Sequence, residues 1–164
     1  MLTDVGEYIV GAYLQVMEGC DFVDYNIRPP GGGLNGLGEL DVIGLNFKTK
    51  TAFVCEVTTH IRGMLYKNNQ ETVERIKGKH ERQKKYALEN LSSLKLKNIR
   101  YQFWSPVVPR GYITDNLEKI IGLELIINEY KKRIEELQTE AKNTTHDAKN
   151  TVFRMLQIIG HLRN

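Results

Sequence analysis

Two acidic side chains stand in apolar company: Asp41 between Leu40, Val42 and Ile43, and Glu56 after Phe53, Val54 and Cys55 and before Val57. A carboxylate surrounded by apolar groups is costly unless a proton, a donor or a metal meets it. Both lie in runs rich in strand-forming residues. The first run is Gly36 to Leu45 and the second Ala52 to His60, with a polar break from Asn46 to Thr51 between them. This pattern predicts two strands joined by a hairpin. Strand side chains alternate, so Glu56 and Thr58 share one face while Phe53, Cys55 and Val57 take the other. If the hairpin pairs Asp41 near Glu56, two carboxylates converge on one patch of sheet. Such a patch could hold a hard divalent cation.

The run Gly38-Glu39-Leu40-Asp41, followed by a hydrophobic strand ending Glu56-Val57, resembles the core of the PD-(D/E)xK nuclease superfamily. The resemblance spans about the first 100 residues. It implies the restriction-endonuclease-like fold, a mixed central sheet flanked by helices, and metal-assisted phosphodiester hydrolysis with Mg²⁺ or Mn²⁺. Asp41, Glu56 and the backbone carbonyl of Val57 would be the metal ligands. A glutamate of the first helix, here Glu7, would be an outer ligand, although a helix dipole alone favours an acid there.

The chain departs from the family at one position, where Thr58 stands in place of the motif lysine. A threonine can donate a hydrogen bond but brings no positive charge. Lys67, Lys79 or Lys84 would then have to supply the amine from another element, with Lys84 preferred. His60, at the strand end, is a further candidate for contact with water or phosphate and equally suits a surface position.

Charge is unevenly spread along the 164 residues. Residues 1–61 hold 3 Lys/Arg against 8 Asp/Glu, and residues 62–100 hold 11 against 4. An acidic segment that could bind a cation is thus followed by a basic one that could bind phosphates. Arg28, Arg62, Lys67, Lys77, Lys79, Gln83 and Lys85 are the candidate nucleic-acid contacts, the partner being double-stranded DNA. A solvated helix face accounts for the same run of charge. Trp104 and Tyr101 could stack on bases, though aromatics in a strand more commonly pack the sheet.

These residues must be positioned by an α-β-β-β-α-β core. A helix is predicted from Asp4 to Gly19, capped by Thr3 or Asp4, and a short strand at Phe22 to Tyr25. Arg28-Pro-Pro-Gly-Gly-Gly33 is a loop that matches neither a Walker nor a dinucleotide fingerprint. A long helix follows from Asn69 to Leu91, with Val73, Ile76, His80, Gln83 and Ala87 toward the sheet and Gly78 as a weak point. A strand runs from Ile99 to Val108. A single helix from Thr114 to Ala141 and a last helix at Val152 to Leu162 would form a C-terminal extension over 114–164. It would pack on the core or on a second subunit of a homodimer.

The composition, 41% hydrophobic and 26% charged, is that of one soluble domain over 1–164. No apolar run suits a membrane span, and Cys20 and Cys55 read as core thiols in a reducing, cytoplasmic setting. The four histidines are scattered, which argues against zinc. Two other classes fit the same residues: a nuclease fold that has lost catalysis and binds nucleic acid, and a structural or protein-interaction domain.

Overall fold

The computed structural model describes residues 3–28, 39–63 and 65–162. The elements run in the order α1 (Val5–Val16), β1 (Phe22–Ile27), β2 (Leu40–Asn46), β3 (Thr51–Val57), α2 (Asn69–Tyr86), β4 (Asn98–Trp104), α3 (Tyr112–Leu117), β5 (Leu123–Ile126), α4 (Tyr130–Asn143) and α5 (Thr151–His161). The fold is α/β. Its five strands form one mixed sheet in sequence order, antiparallel from β1 to β3 and parallel from β3 to β5. Parallel neighbours need a crossover between them. Here α2 connects β3 to β4, and α3 lies between β4 and β5.

The helix starts follow from local chemistry. Asp4 accepts from the amide of Gly6 at 2.8 Å, Asn68 from Glu71 at 2.8 Å, and Asn150 from Phe153 at 3.0 Å, each satisfying an otherwise orphaned N–H. Strands β2 and β3 are buried almost throughout, as expected of strands covered on both faces. On one face Val42, Phe53, Cys55 and Trp104 pack against Val10 and Leu14 of α1, Leu137 and Ala141 of α4, and Phe153 of α5. On the other, Ile43, Leu45, Ala52 and Val54 meet Ala87 and Leu91, just past α2. Val73 and Ile76 of α2, Phe103 of β4 and Ile113 and Leu117 of α3 complete that layer. Cys20 and Cys55 are buried free thiols. No helix among the described residues is long and apolar enough to cross a membrane.

One element differs from the sequence expectation. The predicted helix from Thr114 to Ala141 is two helices with a strand between them, because Gly122 turns the chain at φ +82° and Leu123–Ile126 pairs with β4. The apolar residues from Leu117 to Ile127 fit a helical stripe, but Leu123-Glu-Leu-Ile126 also alternates. The bare edge of β4 supplies backbone partners that a surface helix would not. The C-terminal segment is therefore part of the sheet as well as a helical cover.

Two glycines predict opposite outcomes. A Cβ on Gly6 would lie 2.1 Å from Thr59 Cγ2 and 3.3 Å from Val57 Cγ1, so α1 approaches the end of β3 only because the side chain is absent. Gly6→Val should cost about 1–3 kcal/mol in chemical denaturation. Gly78, within α2, has nothing among the described residues within 4 Å of the same position. Gly78→Ala should stabilise by about 1 kcal/mol, the difference in helix propensity.

Candidate active site

The hairpin register pairs Val42 with Cys55. One step further along both strands, Asp41 comes opposite Glu56, and opposite residues of an antiparallel pair project to the same face. The Asp41 carboxylate accepts from the amide of Val57 at 2.7 Å through Oδ2, continuing the β2–β3 ladder with a side chain. Glu56 is 1% exposed. Its Oε2 accepts from Lys79 Nζ at 2.7 Å, and its Oε1 is buried with no hydrogen-bond partner among the described residues. The same ammonium lies 3.9 Å from Asp41 Oδ2.

The electrostatics follow from this placement. Burial pushes the Glu56 carboxyl up to about 7; Lys79 opposes that shift and the charge of Asp41 adds to it. Burial works against the charge of Lys79, but Glu56 and Asp41 outweigh it and hold the ammonium above its ordinary range. Glu7, on α1, is also raised, by burial and then by the charge of Asp41. It is steadied by Asn26, whose amide donates to Glu7 Oε2 at 3.1 Å and to Thr3 Oγ1 at 3.0 Å. Asn26 takes a left-handed φ of +51°, a conformation asparagine tolerates better than most residues. Two carboxylates, Glu56 and Asp41, thus share one ammonium, and Glu7 feels the charge of Asp41 from α1.

The other sequence candidates fall into three groups. Thr58 is buried beside the site at the end of β3, with its amide bonded to the Trp104 carbonyl at 2.9 Å. Exposed basic residues include Arg62, Lys67, Lys77 and Lys85, of which Lys67, Lys77 and Lys85 pair with Glu71, Glu74 and Glu89. Arg28 pairs with Glu39, while the glycine-rich loop at 29–38 lies outside the described residues. His60 is exposed, its ring edge-on to Tyr66 at 5.9 Å.

Two candidates are placed elsewhere. Lys84, preferred from sequence as the substitute amine, pairs with Glu81 at 2.6 Å and makes no ion pair with the carboxylates; Lys79 is the lysine that does. Gln83 is fully buried and donates to the carbonyls of Val54 and Gln102 at 2.8 and 3.0 Å. It stitches α2 to β3 and β4 and cannot reach a nucleic acid. Trp104 is likewise a core residue at 0% exposure. Asn26 was not foreseen. An asparagine in a strand has no distinctive sequence signal, and its role depends on where α1 lies.

Among the described residues no group of three or more His, Cys, Asp and Glu side chains is arranged to hold a metal ion. Magnesium characteristically takes one or two protein carboxylates and leaves its remaining positions to water and substrate oxygens. The unpartnered Glu56 Oε1 beside Asp41 offers an acceptor of that sort. Comparison of the chain with models of protein families, with curated proteins and with solved structures gives no match in any of the three.

Proposed function

We propose that this chain is a metal-dependent endonuclease of the PD-(D/E)xK type, with the restriction-endonuclease-like fold, acting on DNA. In this reading Lys79 of α2 performs the task of the motif lysine absent at Thr58. The observation that carries it is the Lys79 ammonium 2.7 Å from a buried glutamate that keeps a second oxygen unpartnered, with Asp41 alongside. A purely structural ion pair has no use for that bare oxygen or for the additional charges of Asp41 and Glu7. Leaving an acceptor buried and unmet costs about 1–3 kcal/mol.

Asp41, Glu56 and the Val57 carbonyl would hold Mg²⁺ or Mn²⁺. When bound, the cation supplies charge neutralisation at the scissile phosphate and a water of lowered pKa. The protein contributes the rest. Lys79 has three N–H donors, of which one meets Glu56, and its side chain is 22% exposed. An ammonium so placed can donate to a phosphate oxygen and stabilise the charge that develops as water adds to phosphorus and the P–O bond to the leaving oxygen breaks. Val57 N–H fixes the Asp41 carboxylate, so that its orientation does not depend on solvent. Asn26 does the same for Glu7.

The test is cleavage of supercoiled, branched and single-stranded DNA, and of RNA, in EDTA, Mg²⁺ or Mn²⁺, by the parent and by Glu56→Gln. The expected result is metal-dependent cleavage of DNA that the substitution removes. Salt-sensitive binding with no cut substrate would instead indicate a nuclease fold reduced to a binding module. Neither binding nor cleavage would leave a structural role for the Glu56–Lys79 pair.

A further inference from the structure

A second cluster of basic groups lies on the opposite flank of α2 from Lys79. It lines a groove of about 410 Å³ between α2 and the turn that joins α3 to β5, with Lys77 and Lys84 on one wall and Asn116 and Lys119 on the other. His80, 2% exposed, forms part of its lining. Gln83 sends its amide nitrogen to two backbone carbonyls, which turns its Oε1 toward His80 Nδ1 at 3.1 Å. On the other side of the ring, His80 Nε2 faces the Ile121 carbonyl at 3.2 Å. Two acceptors therefore address one imidazole. A neutral ring donates to one of them only, and the imidazolium donates to both.

The charge in this groove is mainly positive, three lysines against the one carboxylate of Glu81 that also lines it. Lys77 pairs with Glu74 and Lys84 with Glu81, but both are exposed contacts one helical turn apart, weak enough to be exchanged for a better acceptor. Lys119 makes no ion pair among the described residues. Ammonium groups from two elements thus face each other above a buried ring whose two partners are both acceptors.

We propose that this groove binds a phosphoryl group, with Lys77, Lys84 and Lys119 as its contacts and the His80 ring in its floor. The ligand is a backbone phosphate of the nucleic acid held at the carboxylate site, and in that respect the inference rests on the nuclease reading. A strand lying across α2 would meet Lys79 on one flank and this groove on the other. Free inorganic phosphate has the same chemistry, and the experiment separates the two sources.

The measurement is binding in EDTA, so that cleavage does not enter. Fluorescence anisotropy of a labelled duplex is recorded over a range of salt for the parent, Lys119→Glu, Lys119→Arg and Lys131→Glu, the last an exposed lysine of α4 as control. Lys119→Glu should weaken duplex binding by about tenfold and reduce the salt slope by roughly one, with Lys119→Arg close to the parent. In parallel, inorganic phosphate is titrated while the His80 ring resonances are followed by NMR. Phosphate that moves those resonances while Lys119→Glu leaves duplex affinity unchanged would assign the groove to free phosphate and support the phosphoryl chemistry. The proposal is overturned if Lys119→Glu weakens duplex binding no more than Lys131→Glu and phosphate leaves the His80 ring unmoved. A protein that binds through this groove but cuts nothing with Mg²⁺ would remove the nuclease reading and keep the groove.

Discussion

Lys79→Met should reduce metal-dependent cleavage by about 10²- to 10³-fold, the usual cost of deleting one group that stabilises developing charge, while Lys84→Met leaves the rate nearly unchanged. The contrast separates two lysines five positions apart on one helix. Lys79 touches Glu56 and approaches Asp41, whereas Lys84 pairs with Glu81 at the surface. Lys79→Met has a second effect, because it deprives Glu56 of the charge that opposes its protonation. The two effects part on pH. If Lys79 serves only to keep Glu56 ionised, raising the pH restores cleavage in Lys79→Met. If the ammonium acts on the phosphate itself, the deficit persists at every pH. Equal losses in Lys79→Met and Lys84→Met would sink the assignment.

The second large effect is on stability. Burial pushes the Glu56 carboxyl up to about 7 in the folded protein, above the ordinary 4.5 of a glutamate in the unfolded chain. Between those values the folded protein binds more protons than the unfolded chain, so stability falls as pH rises through that window. One proton corresponds to a slope of about 1.4 kcal/mol per pH unit, so the parent should lose up to about 3 kcal/mol across it. Lys79 does not alter the sign, since its raised pKa acts in the alkaline range. Glu56→Gln should remove the Glu56 share of the slope and leave only that of Glu7, whose carboxyl is also raised. Denaturation in urea from acid to mildly alkaline pH reads this directly. Mg²⁺ should restore stability to the parent above neutrality and not to Glu56→Gln, because a ligand bound by the folded state alone stabilises it. An effect of Mg²⁺ equal in both proteins would remove Glu56 from the metal site.

Much of this arrangement was legible before the structure. The hairpin, the common face of Asp41 and Glu56, and the inward stripe of Val73, Ile76, His80 and Gln83 all follow from the periods of 2 and 3.6. The identity of the nearby lysine did not. Lys79 and Lys84 flank that stripe on opposite edges, and periodicity cannot say which edge looks toward the carboxylates. A further clue was available. A crossover helix returns along the sheet, so later residues of α2 lie further from the end of β3, and Lys84 sits about 7.5 Å beyond Lys79 at about 1.5 Å per residue. Gln83 was misread because a polar residue on a buried stripe has two explanations, a ligand or the backbone, and here the carbonyls of Val54 and Gln102 claim it. Strand β5 was hidden because its apolar residues fit a helix equally well, and only the free edge of β4 decides between them.

The hydrogen bond from Val57 to Asp41 couples assembly of the sheet to assembly of the site. Slipping β3 by one residue against β2 would turn Glu56 toward α1, strand a carboxylate in the opposite core and leave Asp41 without its amide. Misregistered hairpins are therefore penalised by the same two acids that the proposed chemistry uses. The acidic pair acts as a proofreader of strand alignment, and a chain that has passed this check carries its carboxylates already aimed.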